Sequence, residues 1–274
     1  MNLHVTLLTG ASDGIGAELA RQLARPGPCS QGRPVALVLA ARRIENLQAV
    51  ARECEALGAQ VWVRPTDVSD EAQCRGLIAD TLARFGRIDT LVNNAGMSAH
   101  AELAEVADMA WYEDLMRLNL WGSAWCTHAA LPHLKASRGL IVAVSSLAGL
   151  VGVPGRTAYA ATKFAMNGFF ESLRVELLPF GVGVTIAYPG VVATEIRRRG
   201  YNAHGQAAGK SGLDEAGAMP VETCAALIVR GMARRQRDVV MSFKGKLGRW
   251  MKLLAPSLVD RMALAALQKD ERAH

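Results

Sequence analysis

Read from the N-terminus, short unbroken apolar runs alternate with stretches in which apolar residues recur every three or four positions. The runs at 4–8, 35–40, 60–64, 91–92, 140–144, 184–187 and 239–243 predict strands. Runs apolar at every position suit strands covered on both faces. The amphipathic stretches at 17–24, 44–57, 71–85, 109–134 and 221–235 predict helices. So does the stretch whose apolar face runs through Phe164, Phe169, Leu173 and Leu177 and which stops before Pro179. Gly58 closes the second helix, and Ser69 is placed to cap the third. Such regular alternation predicts an α/β fold over residues 1–243, a single doubly wound parallel sheet with helices on both faces. No internal repeat is visible. Residues 25–34 are rich in Pro and Gly and form a loop. Residues 197–219 carry no periodicity and read as an irregular lid beside a site. Residues 244–274 form a basic, apolar, helix-prone extension.

Composition narrows the class of protein. Of 274 residues, 50% are hydrophobic and 20% charged, as in a globular protein with a sizeable core. No run of 18 apolar residues predicts a transmembrane helix. The first apolar run is too short for a secretory signal and leads straight into glycines. The five cysteines are scattered, without C-x-x-C, so neither a disulfide framework nor a zinc site is expected, and a reduced, cytoplasmic setting fits. The six His are dispersed without metal-ligand spacing. The net charge of +6 belongs to the tail: from Arg230 onward 11 basic residues face 4 acidic ones, against 20 and 21 before it. No nucleic-acid-binding motif accompanies that charge, so no nucleic-acid partner is expected.

Five places carry chemistry. Strand 4–8 runs into Thr9-Gly10-Ala11-Ser12-Asp13-Gly14-Ile15-Gly16 and then a helix. That is the context of a dinucleotide loop, in which glycines let the backbone approach a pyrophosphate at a helix N-terminus. Any sharp strand–helix turn also favours Gly. After the next strand stand Arg42 and Arg43, where an acidic residue would bond the ribose hydroxyls of NAD. A guanidinium there suits the 2′-phosphate of NADP instead; the plainer reading is two helix-flanking arginines. Asp67 and Asn93-Asn94-Ala95-Gly96 follow strands on the same ligand-facing edge of the sheet. Tyr159 and Lys163, four apart on a helix, lie about 40° apart around its axis. An ammonium beside a phenol stabilises phenolate and makes a proton donor or acceptor usable near neutral pH. Alone, the pair would be an ordinary helix surface contact. Trp111, Trp121 and Trp125 on one predicted helix read as packing or an interface between subunits.

Together, T-G-A-S-D-G-I-G at 9–16, N-N-A-G at 93–96, Asn119, Ser146, Y-A-A-T-K at 159–163 and P-G at 189–190 resemble the short-chain dehydrogenase/reductase superfamily, in its classical branch. The resemblance covers about residues 3–195 and implies a Rossmann fold. It implies an NAD(P)-dependent oxidoreductase acting on an alcohol/carbonyl pair. In it Tyr159 looks like the catalytic acid/base, Lys163 its modulator and ribose ligand, Ser146 the hydroxyl that positions the substrate oxygen, and Asn119 the holder of a water reaching Lys163. Gly10, Ser12, Asp13, Gly14, Ile15 and Gly16 would bind the pyrophosphate side, and Arg42 the 2′-phosphate. Asp67 and Val68 would contact adenine, and Asn94, Ala95 and Gly96 would line the adenosine side. Pro189, Gly190, Val192 and Thr194 would fix the carboxamide. Two features depart from the pattern. NADP-preferring members often carry a basic residue inside the glycine loop, where this chain has Asp13, and loop 25–34 is long.

NADP(H) is thus expected over NAD(H). The tail mixes Lys244, Lys246, Arg249, Lys252 and Arg261 with Trp250, Met251, Leu253, Leu254, Leu258, Val259 and Met262, interrupted by Pro256. Three placements suit it: on an anionic membrane surface as a peripheral contact, over a greasy substrate pocket, or against a partner subunit. The tail is similar to that of members acting on steroids and long-chain ketones, which implies a lipophilic substrate. The resemblance also implies a homodimer or homotetramer through helices 109–134 and 159–178. Three other readings compete: an NAD-dependent alcohol dehydrogenase, a non-catalytic dinucleotide-binding redox sensor, and a methyltransferase with a similar first loop. The sensor would lack Tyr159 or Lys163. The methyltransferase has no use for residues 146, 159 and 163.

Overall fold

The computed structural model describes residues 3–211 and 217–272. Seven strands form one parallel sheet: β1 (His4–Thr9), β2 (Val35–Ala41), β3 (Gln60–Pro65), β4 (Thr90–Asn93), β5 (Leu140–Val144), β6 (Gly183–Tyr188) and β7 (Asp238–Val240). Their order is β3-β2-β1-β4-β5-β6-β7. The chain winds outward one way from β1 and then returns to start again at β4. The crevice between those two strands is where a doubly wound sheet binds ligands.

Strand alternation divides the core. Along β2, Val35, Leu37 and Leu39 face one layer, and Ala36, Val38 and Ala40 face the other. The first layer is covered by α1 (Gly14–Leu23), α2 (Ile44–Ala56) and α7 (Val221–Ala233). The second is covered by α3 (Glu71–Phe85), α5 (Gly122–Ser137) and α6 (Thr157–Leu177), while α4 (Ala110–Met116) buries Trp111 and Leu115 elsewhere. A smaller cluster at the ligand edge joins Ala99, Ala101, Trp111, Leu115, Ala148, Ala158 and Tyr159.

The fold corrects several expectations. Helix 109–134 is a run of α4, a π-turn (Arg117–Trp121) and α5. Asp70, not Ser69, caps α3, accepting from Gln73 N at 3.1 Å; Ser69 instead donates to Asp67 Oδ1 at 2.7 Å. The last strand ends at Val240, because Ser242 caps a helix by accepting from Gly245 N. On α6 the core face is Met166, Phe170, Leu173 and Leu177, a helical repeat that leaves Phe164 and Phe169 on the surface. Trp111 packs inward beside Tyr159, whereas Trp121 is exposed and stacks on Trp125.

Loop 25–34 contains a 3₁₀ turn (Pro28–Ser30) and docks on the body: Cys29 Sγ contacts Val229 O, and Arg33 reaches His4 and Asp89. The described parts of segment 197–219 are tied both to the body and to themselves. Tyr201 pairs with Ala99 and Ala207, and Val192 with Met219; residues 212–216 of that predicted lid lie outside the described residues. The tail forms α8 (Phe243–Leu254) and α9 (Pro256–Arg272), split at the predicted proline; residues 273–274 lie outside the described ones.

Candidate active site

The turn from β1 into α1 is built by close packing of backbone. Gly10 has φ +66, and a Cβ on Gly16 would stand 2.1 Å from Gly10 O. Asn94 braces the turn, donating through Nδ2 to Thr9 O and Gly10 O at 3.0 and 3.1 Å. Thr9 Oγ1 accepts from the N–H groups of Asn94 and Ala95, both at 3.1 Å. The N-A-G stretch therefore holds the glycine loop in shape as well as lining the cavity.

Asp13 sits at the N-cap of α1 but makes no side-chain cap. Its carboxylate turns away to Arg43 and to Arg199, at 2.5 Å from the latter. Burial opposes its ionisation, but the bonds from Arg199 and Arg43 outweigh it and hold its pKa below the ordinary value. Among the described residues, no side chain caps the first-turn N–H groups of Gly14 to Gly16. That fits an anion such as a pyrophosphate. Arg42 is 67% exposed and only 3.9 Å from Asp67. Asp67 Oδ1 is engaged by Ser69 N and Oγ.

From this loop one cavity of about 420 Å³ runs to the end of β5. It is lined by Gly10, Ser12, Asp13, Gly14, Ile15, Gly16, Arg42, Asp67, Val68, Asn94, Ala95, Gly96, Ser146, Tyr159, Lys163, Pro189, Gly190, Val192 and Thr194. Asn119 is buried behind that wall. Its amide is spent on Met97 N, Met97 O and Thr162 Oγ1, at 2.8, 3.0 and 3.0 Å. Its side chain therefore braces the strand-end loop against α6.

At the far end, Lys163 is buried and donates to Val144 O at 3.0 Å. Burial lowers its pKa, and Tyr159 works against that fall. Its Nζ is 5.8 Å from the Tyr159 ring centroid. Ser146 Oγ accepts from Ala148 N at 3.2 Å, which leaves its own proton for a group in the cavity. Ser145 donates to Asn167 Oδ1 at 2.6 Å, so its proton is already used.

The cavity also contains residues that sequence reasoning passed over. Arg156, Arg197 and Arg199 line it, with Met97, Ser98, Leu118 and Ile196. Arg156 stands three residues before Tyr159, a spacing legible in the sequence. Arg199 had no local signal. The segment after β6 folds over the glycine loop, with Thr194 Cγ2 3.2 Å from a Cβ built on Gly14. Helix α8 seats on the loop after Ser146: Gly245 meets Leu147, and Lys252 donates to Leu150 O at 3.1 Å.

Residues 4–204 match the short chain dehydrogenase family. The chain is 38% identical over 262 residues to 11-beta-hydroxysteroid dehydrogenase A of Sesamum indicum, covering 93% of this chain and 73% of that protein. It is 37% identical to 11-beta-hydroxysteroid dehydrogenase-like 4A of Arabidopsis thaliana, covering 94% and 83%. Among solved structures, an alcohol dehydrogenase of Thermococcus sibiricus complexed with 5-hydroxy-NADP superposes with TM-score 0.74 and 26% identity, over 88% of this chain and 96% of that one. A short chain dehydrogenase/reductase of Burkholderia phymatum in complex with NAD gives 0.78 and 25%, over 93% and 94%.

Proposed function

This chain belongs to the short chain dehydrogenase family, and we propose that it uses NADP(H) to interconvert a lipophilic carbonyl compound and its alcohol. Membership makes it an oxidoreductase acting on CH–OH/C=O groups with NAD(P). One observation carries the rest: a single cavity joins the uncapped N-terminus of α1 to Ser146, Tyr159 and Lys163.

The bound nicotinamide supplies or accepts the hydride. The protein's residues handle position and proton. The first turn of α1 would hold the pyrophosphate, and Pro189, Gly190, Val192 and Thr194, which line the same cavity, would face the nicotinamide. In reduction, negative charge develops on the carbonyl oxygen. Ser146 donates a hydrogen bond to it, and the O–H bond of Tyr159 breaks to deliver a proton there. Lys163 stabilises the phenolate left behind. Oxidation runs the same steps backward.

Arg42, exposed at the end of β2 with Arg43 and Arg199 near by, supports NADP(H) over NAD(H). The lipophilic substrate rests on Trp111, Leu115, Val153 and Tyr201 clustering around Tyr159, and on the relatives named as hydroxysteroid dehydrogenases. NAD(H) is the second reading. The neighbour complexed with NAD and the carboxylate of Asp13 in the loop favour it. Exposed Trp121, ahead of α5, and Phe164, Phe169 and Leu178, on and just after α6, support a homo-oligomer through these helices. Phe243, Trp250 and Leu254 on α8 and Leu258 and Met262 on α9, exposed among basic residues, support a peripheral membrane contact. Among the described residues no helix is long and apolar enough to cross a membrane.

The test is a series of ketones and alcohols of rising chain length, assayed with both cofactor pairs. Tyr159→Phe should abolish turnover, and Arg42→Asp should reverse the cofactor preference. Full turnover by Tyr159→Phe would refute the assignment.

A further inference from the structure

Arg156 is the N-cap of α6, and its side chain is buried to 9% exposure in the cavity wall. Its Nε donates to Ala99 O at 3.3 Å, and Nη2 donates to Ser98 Oγ. The guanidinium carbon lies 4.8 Å from the centroid of the Tyr159 ring. Among the described residues no carboxylate pairs with it. Burial lowers its pKa most, Tyr159 works against that fall, and Arg197 adds to it. A buried cation without a counter-ion is costly, so its retention calls for an anion that arises during function.

The geometry supplies one. Arg156 and Lys163 stand one turn before and one turn after Tyr159, with cations 4.8 and 5.8 Å from its ring. Tyr159 is itself in the first turn of α6, where the positive end of the helix also favours an anion. We propose that Arg156 is a second cation of the proton-transfer site, which together with Lys163 stabilises the phenolate of Tyr159. Because it acts through Tyr159, it is a positioning and tuning residue. The step is the one already given: the phenol O–H breaks, the proton moves to the substrate oxygen, and the charge left on Tyr159 is shared by two cations instead of one. The inference rests on Tyr159 being the acid/base. Around this centre the charged and titratable groups are Lys163 on α6, Arg197 and Tyr201 from the segment after β6, His100 beside Gly155, and Asp114 on α4, which acts on Tyr201.

The test is the pH dependence of kcat/KM for alcohol oxidation, whose acid limb reports the free enzyme's base. Arg156→Met should move that limb up by about one to two pH units, and Arg156→Lys, which keeps the charge, should restore most of the shift. Ultraviolet titration of phenolate in the substrate-free protein, with Tyr159→Phe as blank, should report the same displacement. Removing an unpaired buried charge should leave Arg156→Met folded, with a melting temperature close to the parent's. An unmoved limb with a lowered melting temperature would mean that Arg156 only ties α6 to Ser98 and Ala99, and would overturn the proposal. So would a KM rise confined to substrates bearing a carboxylate, with the pH profile unchanged, since the anion would then be the substrate's. An equal shift in Arg156→Lys and Arg156→Met would also overturn it. If instead Tyr159→Phe retains turnover, the fault lies with the assignment of Tyr159.

Discussion

Arg199 Nη1 stands 2.5 Å from Asp13 Oδ2, closing a contact between residues 186 apart in the chain. It ties the segment after β6 to the glycine loop, across the cavity's mouth. Asp13 draws Arg43 and Arg199 to that corner, so positive charge arrives there from other parts of the chain.

The first prediction concerns this tie. Asp13→Asn should loosen segment 195–211 without unfolding the sheet. Trypsin cleavage after Arg198 and Arg199 should quicken several-fold, read by mass spectrometry of timed digests. Because the carboxyl is held below its ordinary value, the tie is intact above that value. It is lost as pH falls through the lowered one. The parent should therefore become as labile as the variant only in strong acid. Equal digestion rates at neutral pH would show that the tie holds nothing.

A second prediction is a pH window set by His4. Arg33 Nη2 donates to its Nδ1 at 2.8 Å, which places the ring proton on Nε2, facing Thr90 Oγ1 at 3.0 Å. Burial, with Arg33 and Arg87 assisting against Asp89, pushes its pKa from 6.5 down to about 4. Between those values the unfolded chain takes up a proton that the native one refuses, so stability falls as pH drops from about 6.5 to about 4. His4→Gln should flatten the melting temperature across that window. A slope unchanged by the substitution would assign it to other groups.

The glycine loop gives a third. A Cβ at Gly16 would meet Gly10 O at 2.1 Å, a contact that only backbone movement relieves. Gly16→Ala should cost about 1–3 kcal/mol of stability and weaken dinucleotide binding at least ~10-fold. Gly76, inside α3, meets only Arg64 Nη2 at 3.8 Å. There the same change should stabilise by about 0.5–1 kcal/mol. Chemical denaturation and cofactor titration of the two variants would settle the contrast.

A fourth concerns the tail. Arg249 pairs with Asp238 at 2.8 Å, and Lys252 reaches Leu150 O, so α8 clamps the loop that begins at Ser146. Truncation after Ser242 should raise KM for the carbonyl substrate by about 10-fold while changing cofactor affinity little. A matching loss in both would show that α8 supports the fold at large.

What could be read from the sequence was local and periodic. The alternation of apolar runs determined the doubly wound sheet, since a strand covered on both faces has no other reason to be apolar throughout. Helix spacing singled out Tyr159 and Lys163, because residues four apart on one helix share a face, and the strand–turn–helix pattern singled out the glycine loop; Ser146 came from the resemblance to a known family. Segments whose partners are remote were misjudged for the same reason. Phe164 and Phe169 suit a core face as well as Met166 and Phe170 do until the sheet chooses between them. Only the tertiary structure brought Arg199 to Asp13, α8 to Leu150, and a buried, unpaired Arg156 against the ring of Tyr159. Those contacts depend on where distant loops meet at the ends of β1, β5 and β6, and no short-range pattern encodes that meeting.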